Sequence, residues 1–279
     1  MTPFMSPPAD APVDAPVPEF GHWFTAIAVV LNLVCLAAGI LLYRRTRSVL
    51  PLLVLPAGFV TVVVEATVAH LGYVWHPIIG QTEPYNSYGM SIPVYLGFVY
   101  AFYFGLTYLC GLGRAASAPF TKGWLWGAAG LGAIGAFVME IPVVRTGIWI
   151  YYGPQSLWIW KDTLPVCWVF MNVACLFTAT TAVLLLRHWL RGWRALGIIP
   201  LSPIAAYMGH IGAGFPWYLT ANSTLADNPL ALQASGVVTA LLSLFIISAC
   251  IHLLTTPRRT AQTNQSTGAD GSARLIPTP

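Results

Sequence analysis

The chain has 279 residues, of which 57% are hydrophobic and 8% charged, and a formal net charge of +4. A soluble domain carries about 25% charged residues, so this composition excludes a soluble globular protein and indicates an integral membrane protein. No basic face or nucleic-acid-binding motif accompanies the positive excess, which argues against a nucleic-acid partner.

In chain order, residues 1–18 are rich in Pro and Ala and carry Asp10 and Asp14. They have too little apolar surface to form a core and read as a disordered tail ending near residue 20. No positively charged segment precedes the first apolar run, so a cleaved signal peptide is not expected. Seven apolar runs follow, each of about 20 residues and long enough to cross a bilayer. They fall at about 22–43, 49–72, 91–112, 123–144, 163–186, 195–217 and 230–254. Pro51 and Pro56 lie near the start of the second run, where proline is best tolerated. Residues 256–279 are polar and read as a second flexible tail, leaving 21–255 as one transmembrane domain.

Eleven of the thirteen Lys and Arg residues fall on one side of seven alternating spans. They are Arg44, Arg45 and Arg47 after span 1, Arg114 and Lys122 between spans 3 and 4, Arg187, Arg191 and Arg194 between spans 5 and 6, and Arg258, Arg259 and Arg274 after span 7. Only Arg145 and Lys161 fall on the other side. The positive-inside rule then places the N-terminus outside and the C-terminus in the cytoplasm. The expected fold is all-α: a multi-pass protein of the cell membrane with seven transmembrane helices and almost no strand. Trp23, Trp75 and Trp217 near one boundary, and Trp124, Trp189 and Trp193 near the other, read as interfacial belts. Cys35, Cys110, Cys167, Cys175 and Cys250 lie in apolar runs without clustered ligand spacing and read as small packing residues.

Four polar groups inside the spans carry the functional reading, because an ionisable group in hydrocarbon is costly and marks function by default. Glu65 in span 2 lies about 10 residues, roughly 15 Å, from the exit near Trp75. Glu140 lies about 4 residues from the end of span 4, Asn172 about 9 into span 5, and His210 about 7 before the end of span 6. All four share the outer half of the bilayer, a depth that permits one site. Each has a plainer role open to it. Glu140 can pair with Arg145, His210 can bond a backbone carbonyl near its glycines, and Asn172 can join helices. Glu65 can be a protonated carboxyl bonded to a neighbouring helix, since its own span holds no basic residue near it. His70 and His76, with Glu65 or Glu83, suggest a metal, but their spacing does not match HExxH.

The connection after Glu140 is unusually aromatic, with Trp149, Tyr151, Tyr152, Trp158 and Trp160 before Trp168 in span 5. Free Trp and Tyr would form an exposed apolar patch, so residues 146–162 are expected to fold back over the mouth of a pocket. The loop at 76–91, with Tyr85, Asn86 and Tyr88, is long enough to cover it as well. Trp75, Tyr88, Trp149, Tyr151 and Trp168 are the candidate substrate-binding residues, and Glu65, Glu140, Asn172 and His210 the candidate catalytic ones.

Several classes fail on chemistry. A retinal Schiff base needs a lysine in the last span, and the chain's lysines, Lys122 and Lys161, both lie outside the spans. Diphosphate-ionising enzymes need Asp-rich magnesium sites, and no such cluster or P-loop occurs. A carboxyl buried among aromatic rings suits acid-initiated chemistry on an apolar polyene. Desolvation keeps a proton on such a group, protonation of an alkene or epoxide makes a carbocation, and aromatic faces stabilise that cation. This chemistry requires no cofactor, and the expected partners are an apolar lipid or terpenoid substrate and the bilayer. Glu65, the deepest carboxylate, is the expected acid.

The runs E-I-P, G-I-W-I-Y-Y-G and P-V-C-W-V-F-M-N, over residues 139–172, resemble a region of the membrane carotenoid-biosynthesis proteins that include the bacterioruberin-type carotenoid hydratases. The resemblance implies corresponding roles for Glu140, Trp149, Tyr151, Pro165 and Asn172. In general character the chain also resembles small membrane terpene cyclases. The expected function is acid-initiated cyclisation, hydration or isomerisation of a terpenoid or carotenoid-type lipid. The alternatives are a proton-coupled transporter or lipid-binding module, with Glu65, Glu140 and His210 as the relay, and a non-catalytic assembly partner.

Overall fold

The computed structural model describes residues 10–15, 20–77, 85–159 and 163–256, apart from the side chain of His22. Most of both expected tails, and Glu83, Trp160 and Lys161, lie outside the described residues. Among the described residues, seven helices are long and apolar enough to cross a membrane. They are α1 (Phe20–Thr46), a broken second span comprising α2 (Leu50–Thr61) and α3 (Glu65–Gly72), α4 (Val94–Ser117), α5 (Lys122–Arg145), α6 (Val166–Leu186), α7 (Ile198–Ala221) and α8 (Pro229–Thr255).

The second span breaks at a 3-10 turn, Val62–Val64, which delivers Glu65 at the start of α3. Such a turn inside a long helix often marks a functional site. Helices α4 and α6 start later than their apolar runs, and the cause is common to both. Pro93 and Pro165 occupy the N-cap positions of α4 and α6 in extended conformations. A residue before proline is pushed out of the helical region, so Ile92 and Leu164 join short strands instead. Helix α7 runs on past Pro216 to Ala221. The backbone N–H of Trp217, beside that interruption, donates to Thr239 Oγ1 of α8 at 3.3 Å, as expected where neighbouring helices restore bonds disturbed by proline.

Helices α2, α4, α6 and α7 pack on one another, with α1 against α2 and α4, α8 against α6 and α7, and α5 against α6 and α8. Glycine sets the α2–α4 approach. A Cβ on Gly58 would stand 2.9 Å from both Ala101 Cα and Tyr100 O. Deeper in the bundle Ser202 Oγ of α7 lies 2.6 Å from Thr61 Oγ1 of α2 and 2.6 Å from Tyr108 Oη of α4, a buried polar node joining three helices. Large apolar side chains face outward, among them Leu131 (72% exposed), Val138 (69%) and Phe245 (69%). A soluble protein would not leave such a surface uncovered, and these residues lie on helices long and apolar enough to cross a membrane.

Among the described residues, six strands of two or three residues lie at the end of the bundle where α3 and α5 finish, hereafter the ribbon end. Strand β1 (Val74–Trp75) pairs antiparallel with β4 (Ile150–Tyr151), tying the loop after span 2 to the loop after α5. Strands β2 (Tyr85–Ser87) and β3 (Met90–Ile92) form a hairpin, and β5 (Trp158–Ile159) pairs with β6 (Leu164–Pro165). The hairpin turns through Tyr88 and Gly89, with φ of 55° and 70°, the two positive values of a type I′ turn. The connection after α5 does fold back: Trp149 and Ile148 are buried and Trp158 half-buried. The belt reading needs correction for two tryptophans. Trp75 and Trp217 are 5% and 0% exposed and belong to the core, whereas Trp23, Trp189 and Trp193 are exposed.

Candidate functional site

Glu65, Glu140, Asn172 and His210, from α3, α5, α6 and α7, all line one cavity of about 80 Å³. On the measure by which about 10–15 Å³ admits one water, this holds several waters or a short hydrocarbon segment. Trp149, Tyr151 and Trp168 contribute aromatic walls, and Tyr100, Tyr103 and Phe104 of α4 close another side.

Each carboxylate is held at both oxygens, by different chemistry. His76 Nε2 lies 2.8 Å from Glu65 Oε1, and Tyr100 Oη donates to Oε2. For Glu140, Tyr151 Oη donates to Oε2 at 2.5 Å and Asn172 Nδ2 to Oε1 at 2.7 Å. So Glu65 does have a basic partner, contrary to what its own span suggests: it comes from eleven residues along, where the chain turns back at the ribbon end. Glu140, which the sequence allowed to sit at the surface beside Arg145, is buried and faces Tyr151 and Asn172. The two carboxylates are near enough for the charge of Glu65 to act on Glu140, and His210 lies within reach of the same charge. Tyr218 Oη and His210 Nδ1 are 3.0 Å apart, which fixes the imidazole.

Local structure explains why these groups converge. Helix α3 ends at Tyr73, whose φ of 53° turns the chain sharply. The carbonyls left over at a helix end need partners. Gln155, buried in the aromatic connection, donates to Gly72 O at 2.8 Å, and Asn222 Nδ2 donates to Leu71 O at 2.8 Å. The turn then runs into β1, where alternate residues point to opposite faces. Val74 and His76 consequently line the cavity. Trp75, between them, faces away and pairs in register with Ile150. Gly72 admits Trp168, since a Cβ there would lie 2.4 Å from Trp168 Cζ2. The ring of Trp168 then stands 5.3 Å from those of both Tyr151 and His210.

The 3-10 turn before Glu65 is braced from the hairpin. Tyr85 Oη donates to Val62 O at 2.7 Å. Burial, and then the charge of Glu65, push the Tyr85 phenol well above its ordinary range, so it remains a donor. Burial and the charge of Glu140 likewise raise the Tyr151 phenol, keeping its proton directed at that carboxylate. Two cavity-lining groups have polar atoms without a hydrogen-bond partner among the described residues, His76 Nδ1 and Tyr103 Oη. A buried polar atom left unpaired costs about 1–3 kcal/mol, so these are places where a bound molecule gains.

Of the nine candidates, seven line the cavity. Trp75 and Tyr88 do not. Trp75 is removed by strand alternation, and Tyr88 sits 48% exposed at the hairpin tip, its ring 5.5 Å from that of His70. His70 and His76 are thus directed to different neighbours, Tyr88 and Glu65. Sequence reasoning missed Tyr100 and Tyr103. They are three residues apart, which puts them on one helix face, but within YAFYFG they are indistinguishable from ordinary core aromatics. Comparison with family models, with curated proteins and with solved structures finds no match to this chain.

Proposed function

We propose that the protein is an integral membrane enzyme that protonates an apolar terpenoid or carotenoid-type lipid, so starting its cyclisation, hydration or isomerisation. One observation carries this reading: two carboxylates from different spans meet across a small cavity walled by Trp149, Tyr151 and Trp168. Proton-initiated chemistry needs a donor, a cation-tolerant wall and an acceptor in one dry space, and the residue types match those three needs.

Glu65 is the donor. Its carboxyl is bonded to His76, so the proton delivered is the one that the Glu65–His76 pair shares, passed through the carboxyl to the substrate, and His76 belongs to the loop beyond the span, where that proton can be resupplied from the aqueous side. The proton passes to an alkene carbon or epoxide oxygen of the substrate. The resulting cation lies against aromatic faces, an attraction of about 0.5–2 kcal/mol per ring. Glu140, oriented by Tyr151 and Asn172, takes the proton released when an alkene re-forms or when water adds, and gives it up to cavity water before the next turnover. The net reaction consumes no cofactor. The cavity matches the reacting segment of a long lipid, with the remaining chain lying in the bilayer. The resemblance of residues 139–172 to carotenoid hydratases agrees with this class, and the Lys and Arg partition supports an outer position for the ribbon end.

Expression of the full chain in a terpenoid-producing host, followed by lipid extraction, tests the reading. New or altered terpenoid products that vanish with Glu65→Gln support it. Unchanged lipids, together with a proton-dependent change in solute uptake, would replace it with the transport reading that the Glu65–His76 pair also suits.

A further inference from the structure

At the opposite end of the bundle a second recess, of about 560 Å³, lies between the α1–α2 turn, the end of α4 and the α6–α7 loop. Its cationic lining is Arg47, Arg187 and Arg191, with His188 beside them, and its apolar lining includes Leu50 and Leu112. Arg191 Nη2 and His188 Nδ1 are 3.1 Å apart. Guanidinium only donates, so the histidine nitrogen accepts and its other nitrogen carries a proton. The recess lining includes three guanidinium groups.

Among the described residues, no carboxylate lines it. Along the sequence, Asp270 is the single acidic residue on this side of the seven spans, and it lies outside the described residues. The recess is also built at a conformational cost. Arg47 has a φ of 57°, a left-handed conformation disfavoured for an L-residue and normally left to glycine. Arg47 N–H closes the end of α1 on Tyr43 O at 2.7 Å, so the helix stops with an arginine directed by that turn to the recess.

We propose that this recess binds a phosphate-bearing anion and that the phosphodiester headgroup of an anionic phospholipid is the natural source. Guanidinium forks match phosphate oxygens, and the leucine wall suits the start of an acyl chain. The position, at helix ends of a membrane bundle, is the depth at which headgroups lie. This site is separate from the Glu65 cavity, and its occupancy does not depend on the reaction proposed there.

The test uses the full chain in detergent, followed by native mass spectrometry and thermal denaturation. The probes are phosphatidylglycerol, phosphatidylcholine and inorganic phosphate. The wild type is expected to retain phosphatidylglycerol over phosphatidylcholine and to melt higher with it. Each removed recess arginine should weaken retention about fivefold, hence about twenty-fivefold for Arg47→Gln with Arg191→Gln. Arg44→Gln with Arg45→Gln, at the same end but outside the recess lining, should leave retention unchanged. Stabilisation by inorganic phosphate alone, lost in the recess variant, keeps the anion site and moves its source to free phosphate. Equal retention of both lipids by the wild type, or equal losses in the two double variants, overturns the proposal, as does no response to any probe. The wild-type lipid preference stands on its own should the recess variant not fold.

Discussion

Glu65 and Glu140 differ in what holds them, and that difference fixes how each should respond to mutation. Glu65→Gln keeps the shape and a hydrogen bond to Tyr100 while removing the transferable proton. Product formation should fall by about 10² or more, the scale of a positioned acid, with the melting temperature little changed. Near-full activity in Glu65→Gln together with a dead Glu140→Gln would exchange the two roles; activity in both would remove acid initiation altogether. His76→Phe keeps a ring near Trp149, 6.2 Å from it in the native protein, but leaves Glu65 Oε1 without its partner. A buried polar atom left unpaired costs about 1–3 kcal/mol, so this variant should melt lower, and His76→Gln should recover much of the loss. Asn172→Leu strips the donor from Glu140 Oε1. With the accepting carboxylate free to turn, the product mixture measured by chromatography should change more than the total rate.

Elements decide whether those residues meet, and here the sequence was readable in some places and opaque in others. The seven spans follow from apolar length alone, because a backbone in lipid must close its own hydrogen bonds. The late starts of α4 and α6 follow from Pro93 and Pro165, a signal present in the sequence but outweighed by the apolar run around it. The depth band of Glu65, Glu140, Asn172 and His210 was legible; their hydrogen bonds were not, since Tyr100 and Tyr151 look like any other membrane aromatics. His76 was misleading for a different reason: its approach to Glu65 depends on the left-handed turn at Tyr73, which carries no glycine to announce it. The close α2–α4 packing is testable. Gly58→Ala drives a Cβ into the backbone of Tyr100 and Ala101, overpacking that costs about 1–3 kcal/mol. Because Tyr100 holds Glu65, activity should fall along with thermal stability. Gly130→Ala, where a Cβ meets nothing within 4 Å, should leave both unchanged.

At the scale of the whole molecule the charges and the two recesses divide the protein into unlike ends. The ribbon end holds the buried carboxylates and the aromatic connection. The other end holds the arginine recess and, in sequence, eleven of thirteen cations. The division also checks the number of spans, because one span more or fewer would have scattered these cations over both sides. Lys and Arg close to helix ends resist translocation, so the protein should insert with the ribbon end outside and residue 279 in the cytoplasm. A reporter that is active only in the cytoplasm, fused after Pro279, should be active, and one fused before Met1 should be silent. The reverse pattern would put the Glu65 cavity on the cytoplasmic side. It would then also reverse the route by which His76 resupplies a proton, which would have to come from the cytoplasm instead of the outer aqueous phase. Orientation is therefore part of the proposed mechanism, and an activity that tracks external pH while internal pH is clamped would tie the two together.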